Sequence, residues 1–294
     1  MTKHPSVAKT IALTVAAMIA FAANSLLCRM ALGAHTIDAA SFTTLRLAAG
    51  ALTLWLIVAA TRKASAPRQG DWIAAAMLFL YAIAFSFAYV SLSAGTGALI
   101  LFGGVQLTML SVGLYSGERF TPLSWAGFVL AVAGLVYLVS PGLAAPAPVG
   151  AGLMAIAGIA WGVYSLHGRG VADPLLATSG NFLRTLPLTL IASTLFLANM
   201  QANWLGVALA IASGAIASGV GYVIWYAALR GLNATRAATV QLSVPVIAAF
   251  GGALFLSELI SLRLLIASAA MLGGIGMVLM QRGSRVAASA VEAD

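Results

Sequence analysis

The chain is a succession of long apolar blocks joined by short polar connections. The blocks run over 8–31, 38–60, 71–93, 96–116, 121–140, 148–168, 177–198, 204–228, 234–257 and 261–281. A helix needs about 20 apolar residues to cross the roughly 30 Å hydrocarbon layer, and in lipid its backbone groups must be satisfied within the helix. The pattern therefore predicts ten membrane-spanning helices, and no polar stretch is long enough to fold as a separate aqueous domain. The expected class is an all-α integral membrane protein. The first block could pass for a signal peptide, because Lys3 and Lys9 precede an apolar run ending in small residues near Ala20 and Ala22. An internal copy of that block argues that it is retained as the first helix.

The copy is part of a duplication. Ile19 begins Ile-Ala-Phe-Ala-Ala-Asn-Ser-Leu-Leu-Cys-Arg, and 140 residues later Ile159 begins Ile-Ala-Trp-Gly-Val-Tyr-Ser-Leu-His-Gly-Arg. The same shift carries Glu118-Arg119-Phe120-Thr121 onto Glu258-Leu259-Ile260-Ser261, and a shift close to it, 138, carries Leu45-Arg46 onto Leu183-Arg184. Two five-helix repeats are expected, over 1–142 and 143–282, followed by a cytoplasmic tail at 283–294. Because five is odd, the second repeat enters the membrane upside down, an inverted 5+5 arrangement. Such duplications commonly build transporters, in which two halves rock about a site between them.

Composition agrees with the blocks: 62% of the 294 residues are hydrophobic, 7% are charged, and mean hydropathy is +1.02. The net charge of +8 reads as topology rather than nucleic-acid affinity, since the basic residues are spread among loops. With the N-terminus in the cytoplasm, Lys3, Lys9, Arg62, Lys63, Arg68, Arg119, Arg169, Arg230, Arg236, Arg282 and Arg285 lie on the inner side. Only Arg29 and Arg263 then lie outside, a positive-inside distribution that also places the C-terminus in the cytoplasm. The single Cys28 excludes an intramolecular disulfide.

Gly117-Glu118 followed by a glycine-rich helix with Gly127 and Gly134, and Ser257-Glu258 followed by Gly273-Gly274-Ile-Gly276, resemble the drug/metabolite transporter superfamily in its ten-helix form with two EamA-type halves. Arg46 and Arg184, near the starts of helices 2 and 7, also match. The similarity covers nearly the whole chain and is closest to the YddG-type exporters of aromatic and other amino acids from the bacterial inner membrane. It implies a basket in which helices 1, 3, 4, 6, 8 and 9 enclose a cavity while 5 and 10 lie at the ends. One position departs: Ser257 stands where the first repeat has Gly117. Both are small, which predicts little effect.

Tyr81, Phe85 and Tyr89 are spaced i, i+4, i+8 and share a helix face. Tyr222, Trp225 and Tyr226 form a similar face in helix 8, and Trp161 and Tyr164 another in helix 6. These rings are candidates for an aromatic cavity wall, with helix packing or an interfacial belt as the alternative. Asn24, Gln106 and Gln241 are deep neutral amides suited to a zwitterion, or to joining helices. His167, near the end of helix 6, is a candidate titrating group at the same site. Arg46 and Arg184 stand a turn or two beyond helix starts, where long side chains can reach headgroups; anchoring is favoured over binding a substrate carboxylate. Glu118 and Glu258 read as helix caps or interhelical locks. Gly103, Gly104, Pro245 and Gly251 are candidate hinges.

No nucleotide-binding glycine loop, nucleophile motif or metal-ligand cluster is present in the sequence. The expectation is a transporter rather than an enzyme, with no cofactor or metal and no nucleic-acid partner. It would sit as a monomer in the inner-membrane bilayer and export amino acids and related small metabolites by alternating access. A drug or nucleotide-sugar transporter of the same superfamily is the main alternative, and an integral membrane enzyme a more distant one. No carboxylate lies at mid-membrane, which weakens proton or sodium coupling.

Overall fold

The computed structural model describes residues 6–61, 69–117, 119–142, 145–232 and 234–291, with their side chains except at 235 and 281–291. Seven uninterrupted helices come first: α1 (Val7–Gly33), α2 (Ala39–Thr61), α3 (Trp72–Tyr89), α4 (Ala94–Tyr115), α5 (Pro122–Val139), α6 (Pro148–His167) and α7 (Pro174–Leu195). The next span is composite: α8 (Trp204–Ala212), a π-helical segment (Ser213–Val220) and α9 (Gly221–Leu229). Then follow α10 (Ala234–Gln241), α11 (Ser243–Leu256) and α12 (Leu262–Val291). Among the described residues the only β pairing is an isolated bridge between Ile37 and Ala202.

Among the described residues, nine of the expected ten spans are long and apolar enough to cross a membrane. α7 is long enough, but Thr178, Asn181, Arg184 and Thr185 lower its hydropathy, and it packs against α2 and α3. Helix starts are fixed by local chemistry. Side chains of Asp71, Thr121, Asp173 and Asn203 each accept a hydrogen bond from a first-turn amide, a cap typically worth about 1 kcal/mol. Pro122, Pro148 and Pro174 occupy first helical positions, where the missing N–H costs nothing.

Bulky apolar side chains such as Leu52, Trp55, Leu190, Ile191 and Phe250 face outward, as a lipid solvent allows. Small residues mediate the closest crossings. Gly158 meets the backbone of Leu101 and Gly104, Gly162 meets Thr108, and Gly127 meets the backbone of Gly274, so α6 seats on α4 and α12 on α5. The pairings have a pattern: α5 with α12, α2 with α7 and α4 with α11, while α3 with α6 is matched by α1 with α9, and α4 with α6 by α1 with α11. Exchanging the first five spans for the last five leaves this set unchanged. The chain is a multi-pass, all-α membrane protein.

Two breaks bear on the hinge candidates. In the ninth span the helix is interrupted at Leu242, just before Pro245, whose missing N–H leaves the carbonyl four residues back without its helical bond. α4 instead runs through Gly103 and Gly104 without interruption. There Gly103 abuts Met271 and Gly104 packs on Gly158; Gly251 abuts Leu26 of α1.

Candidate functional site

The two ends of the bundle differ. We call the end where α1 begins and α6 finishes the near end, and the other the far end. A cavity of about 600 Å³ lies between the helices. Its exposed lining residues His167, Gly168, Arg169, Pro174 and Ala234 are all at the near end, so it opens there. Its wall comes from α1, α3, α4, α6, the composite span, α10 and also α7, which contributes Ala177, Thr178 and Asn181. The participation of α7 goes beyond the expected set of helices, and its polar start is the sequence signal for it.

Of the candidate binding residues, Asn24, Tyr81, Phe85, Gln106, Trp161, Tyr164, His167, Tyr222, Trp225 and Gln241 line the cavity. Tyr89 does not. It is fully buried below Phe85, ring centroids 4.7 Å apart, and donates its hydroxyl to the carbonyl of Ala94 at 3.2 Å. The shared face with Tyr81 and Phe85 exists, but it runs past the bottom of the cavity into the far-end packing. Gly103, Gly104, Pro245 and Gly251 do not line the cavity either.

Trp161 is the centre of the aromatic wall. It stacks on Tyr164 at 5.1 Å and on Tyr222 at 5.8 Å, and tilts against Tyr81 at 4.8 Å. Tyr222 continues the stack to Tyr226, whose hydroxyl is 2.6 Å from that of Thr178. Such ring pairs contribute about 0.5–1.5 kcal/mol each beyond their buried area, enough to hold a firm apolar face with hydroxyls at its edges. Phe21 packs against Tyr222 and Trp225 and also lines the cavity; its place opposite Trp161 in the repeat could have flagged it.

At the deep end polar groups form a chain. Ser213, the first π-helical residue, donates to Asn24 Oδ1 at 2.6 Å, and Asn24 Nδ2 donates to the Tyr81 hydroxyl at 3.3 Å. Arg46 Nη2 donates to the same hydroxyl at 3.0 Å, and its guanidinium lies over the rings of Phe85 and Tyr81. Arg46 is 3% exposed, so the expectation of a side chain reaching headgroups is corrected here: the chain turns inward between α2 and α3. Arg184 instead donates to the carbonyls of Gln69 and Gly180, so it is tied to protein backbone.

The far end is shut. Arg29 Nε meets Glu258 Oε1 at 3.0 Å, Arg29 Nη1 donates to the carbonyls of Tyr89 and Val90, and Glu258 Oε2 accepts from the Ala94 amide at 2.8 Å. One carboxylate thus ties α1 to the start of α4, whose N-terminal amides favour negative charge. Glu258 is an interhelical lock, and the helix end it serves is that of α4. Glu118 lies outside the described residues. At the near end, His167 Nε2 faces Asp71 Oδ2 at 3.1 Å across the cavity mouth, and Asn181 Oδ1 accepts from the Asp71 amide.

A chain of apolar spans around a polar-tipped cavity matches what comparison with known proteins finds. Residues 148–280 match the EamA-like transporter family. An uncharacterised protein of Pseudomonas aeruginosa is 52% identical over 95% of this chain and 97% of its own length. The chain belongs to the EamA-like transporter family. An uncharacterised transporter of Archaeoglobus fulgidus is 24% identical over 69% of the chain and 74% of its own length. One solved structure, titled only as the crystal structure of a protein, superposes with a TM-score of 0.62 at 20% identity, covering 91% of this chain and 96% of that one, a likeness of fold. This EamA-like protein is therefore a membrane transporter with a small-molecule cargo.

Proposed function

We propose that the protein exports amino acids, aromatic and other, and related small metabolites across the bacterial inner membrane, by alternating access between two inverted five-helix halves. The observation that carries this is the cavity itself: aromatic rings from both halves, open at the near end and closed at the far end by Arg29 and Glu258. The positive-inside charge distribution supports a cytoplasmic near end, and in that orientation the arrangement is the one in which an exporter loads. A volume of about 600 Å³ suits a molecule of amino-acid size, whose side chain would rest on the Trp161 stack while its polar groups meet Asn24, Tyr81, Gln106 and Gln241.

In the opposite state the far-end lock opens. Arg169, the repeat counterpart of Arg29, would help to close the near end. The break before Pro245 serves as a hinge in this scheme; Pro245→Leu is expected to slow turnover more than binding, and equal effects on both would make the break a packing feature.

The test is uptake and counterflow of labelled amino acids in proteoliposomes, with and without a pH gradient. Trp161→Ala and Tyr222→Ala should lower flux of bulky cargo several-fold while leaving expression intact. Normal flux in both variants would remove the aromatic wall from the transport route.

A further inference from the structure

We infer that Arg46 is the binding site for a cargo carboxylate. The inference rests on the reading of the cavity as the transport site and adds which group of the cargo is recognised. Among the described residues, Arg46 Nη1 is the one buried side-chain nitrogen or oxygen with no hydrogen-bond partner. Buried charges in proteins are paired, because an isolated charge in a poorly polarisable interior is strongly disfavoured. Among the described residues, every carboxylate is engaged elsewhere. Asp38 holds the amides of Ser41 and Gln201, Asp71 faces His167, Asp173 caps α7, and Glu258 is engaged by Arg29 and Ala94. The remaining interactions of the guanidinium are two ring faces and the Tyr81 hydroxyl, groups that tolerate a cation without neutralising it.

Placement puts the group directly behind the cavity wall, which Arg46 itself does not line. Tyr81 and Phe85, the two rings against the guanidinium, themselves line the cavity, as does Asn24 on the far side of the Tyr81 hydroxyl. A single layer of side chains separates the charge from the cargo space. Arg46 also sits where the backbone is irregular: the π-helical segment begins at Ser213, and Gly214 presses so closely on the Arg46 carbonyl that a Cβ there would overlap it. π-helical turns are frequent at functional sites. A planar fork of N–H donors fits a carboxylate in two-point contact, and the carboxylate would replace ring faces as the partner of the cation. The Tyr81 hydroxyl joins α3 to Asn24 of α1, and Asn24 joins Ser213 of the second half, so cargo seated at Arg46 touches the link between the halves.

The experiment uses the full chain in two forms. In proteoliposomes, counterflow of labelled phenylalanine is competed with phenylalanine, 3-phenylpropionate and phenylalaninamide; in detergent, the same compounds are tested for thermal stabilisation. The two acids are expected to compete and stabilise, and the amide to be weaker by about 10-fold or more, the scale of a lost charge-assisted hydrogen bond. Arg46→Gln should erase that discrimination and Arg184→Gln should keep it. The wild-type comparison stands even if Arg46→Gln fails to fold. Equal action of acid and amide on the wild-type protein overturns the inference, as does an absence of any effect of the acids in both assays. Selective stabilisation by the acids without counterflow would uphold the carboxylate site and overturn amino-acid transport.

Discussion

Arg46 and Arg184 occupy matching places in the two copies of the sequence, yet they meet opposite surroundings. Arg184 lies beside the chain segment leading into α3, and the carbonyls of Gln69 and Gly180 take up its donors. Arg46 finds no such segment. Its neighbours are Tyr81 and Phe85, and one end of its guanidinium is left without a partner. The difference shows what duplication supplies and what it leaves free. The helix and the position of the arginine are inherited together, while the role is decided by whichever backbone lies within reach. In one copy the charge holds the scaffold; in the other we assign it to cargo.

The largest expected effect comes from removing each charge in turn. Arg46→Gln should reduce transport of carboxylate cargo by about 10-fold or more, because a charge-assisted contact is lost. Arg184→Gln should lower thermal stability by about 1.5–3 kcal/mol, through loss of charged hydrogen bonds to two carbonyls, with cargo selectivity unchanged. Transport assays paired with melting curves on both variants check the contrast. A shared phenotype would mean that the two arginines do the same job.

Each arginine is also flanked by a glycine at a close crossing, which gives a subtler comparison. A Cβ on Gly214 would overlap the Arg46 carbonyl, and one on Gly180 would overlap the Gln69 carbonyl that accepts from Arg184. Gly214→Ala and Gly180→Ala should each cost about 1–3 kcal/mol by overpacking. Only Gly214→Ala should also weaken the preference for acid over amide, since only there does the displaced backbone carry the carboxylate-binding side chain. If Gly180→Ala weakens the preference equally, selectivity resides in the overall packing of α2 against α7 instead.

Much of this architecture was legible in the sequence because lipid imposes a strict length and polarity on every span. The ten blocks and the helix 3, 6 and 8 aromatics followed from spacing alone, and ten of the eleven candidate binding residues line one cavity. The misses share a cause. Tyr89 obeys the same periodicity as Tyr81 and Phe85, but periodicity fixes a face and not how deep along that face a cavity ends. The distance of Arg46 from its helix start permits snorkelling and so predicts an anchor, yet whether a side chain turns outward depends on acceptors contributed by distant segments. α7 as a cavity wall was signalled by its run of Thr178, Ser179 and Asn181, polar residues that an apolar-block reading discounts.

Ser257 provides the smallest and most sharply posed difference between the copies. It stands at the position of Gly117, and similar side-chain size predicted little consequence of the exchange. Backbone geometry says otherwise: Ser257 adopts φ +52°, and Gly117 φ +88°, a left-handed region that glycine enters freely and other L-residues enter at a cost of about 1–2 kcal/mol. The turn after α11 carries this conformation because the Glu258 amide reaches back to the Gly252 carbonyl, which aims the Glu258 carboxylate at Arg29. Ser257→Gly should therefore stabilise the protein, by about 0.5–1 kcal/mol once the greater freedom of glycine in the unfolded chain is subtracted. That corresponds to a rise in Tm of roughly 2 °C for a chain of this size. Gly117→Ser should lower it by at least as much. An unchanged or lower Tm for Ser257→Gly would show that the serine hydroxyl holds a contact outweighing the backbone cost, and the far-end lock would then differ from its counterpart in more than its glycine.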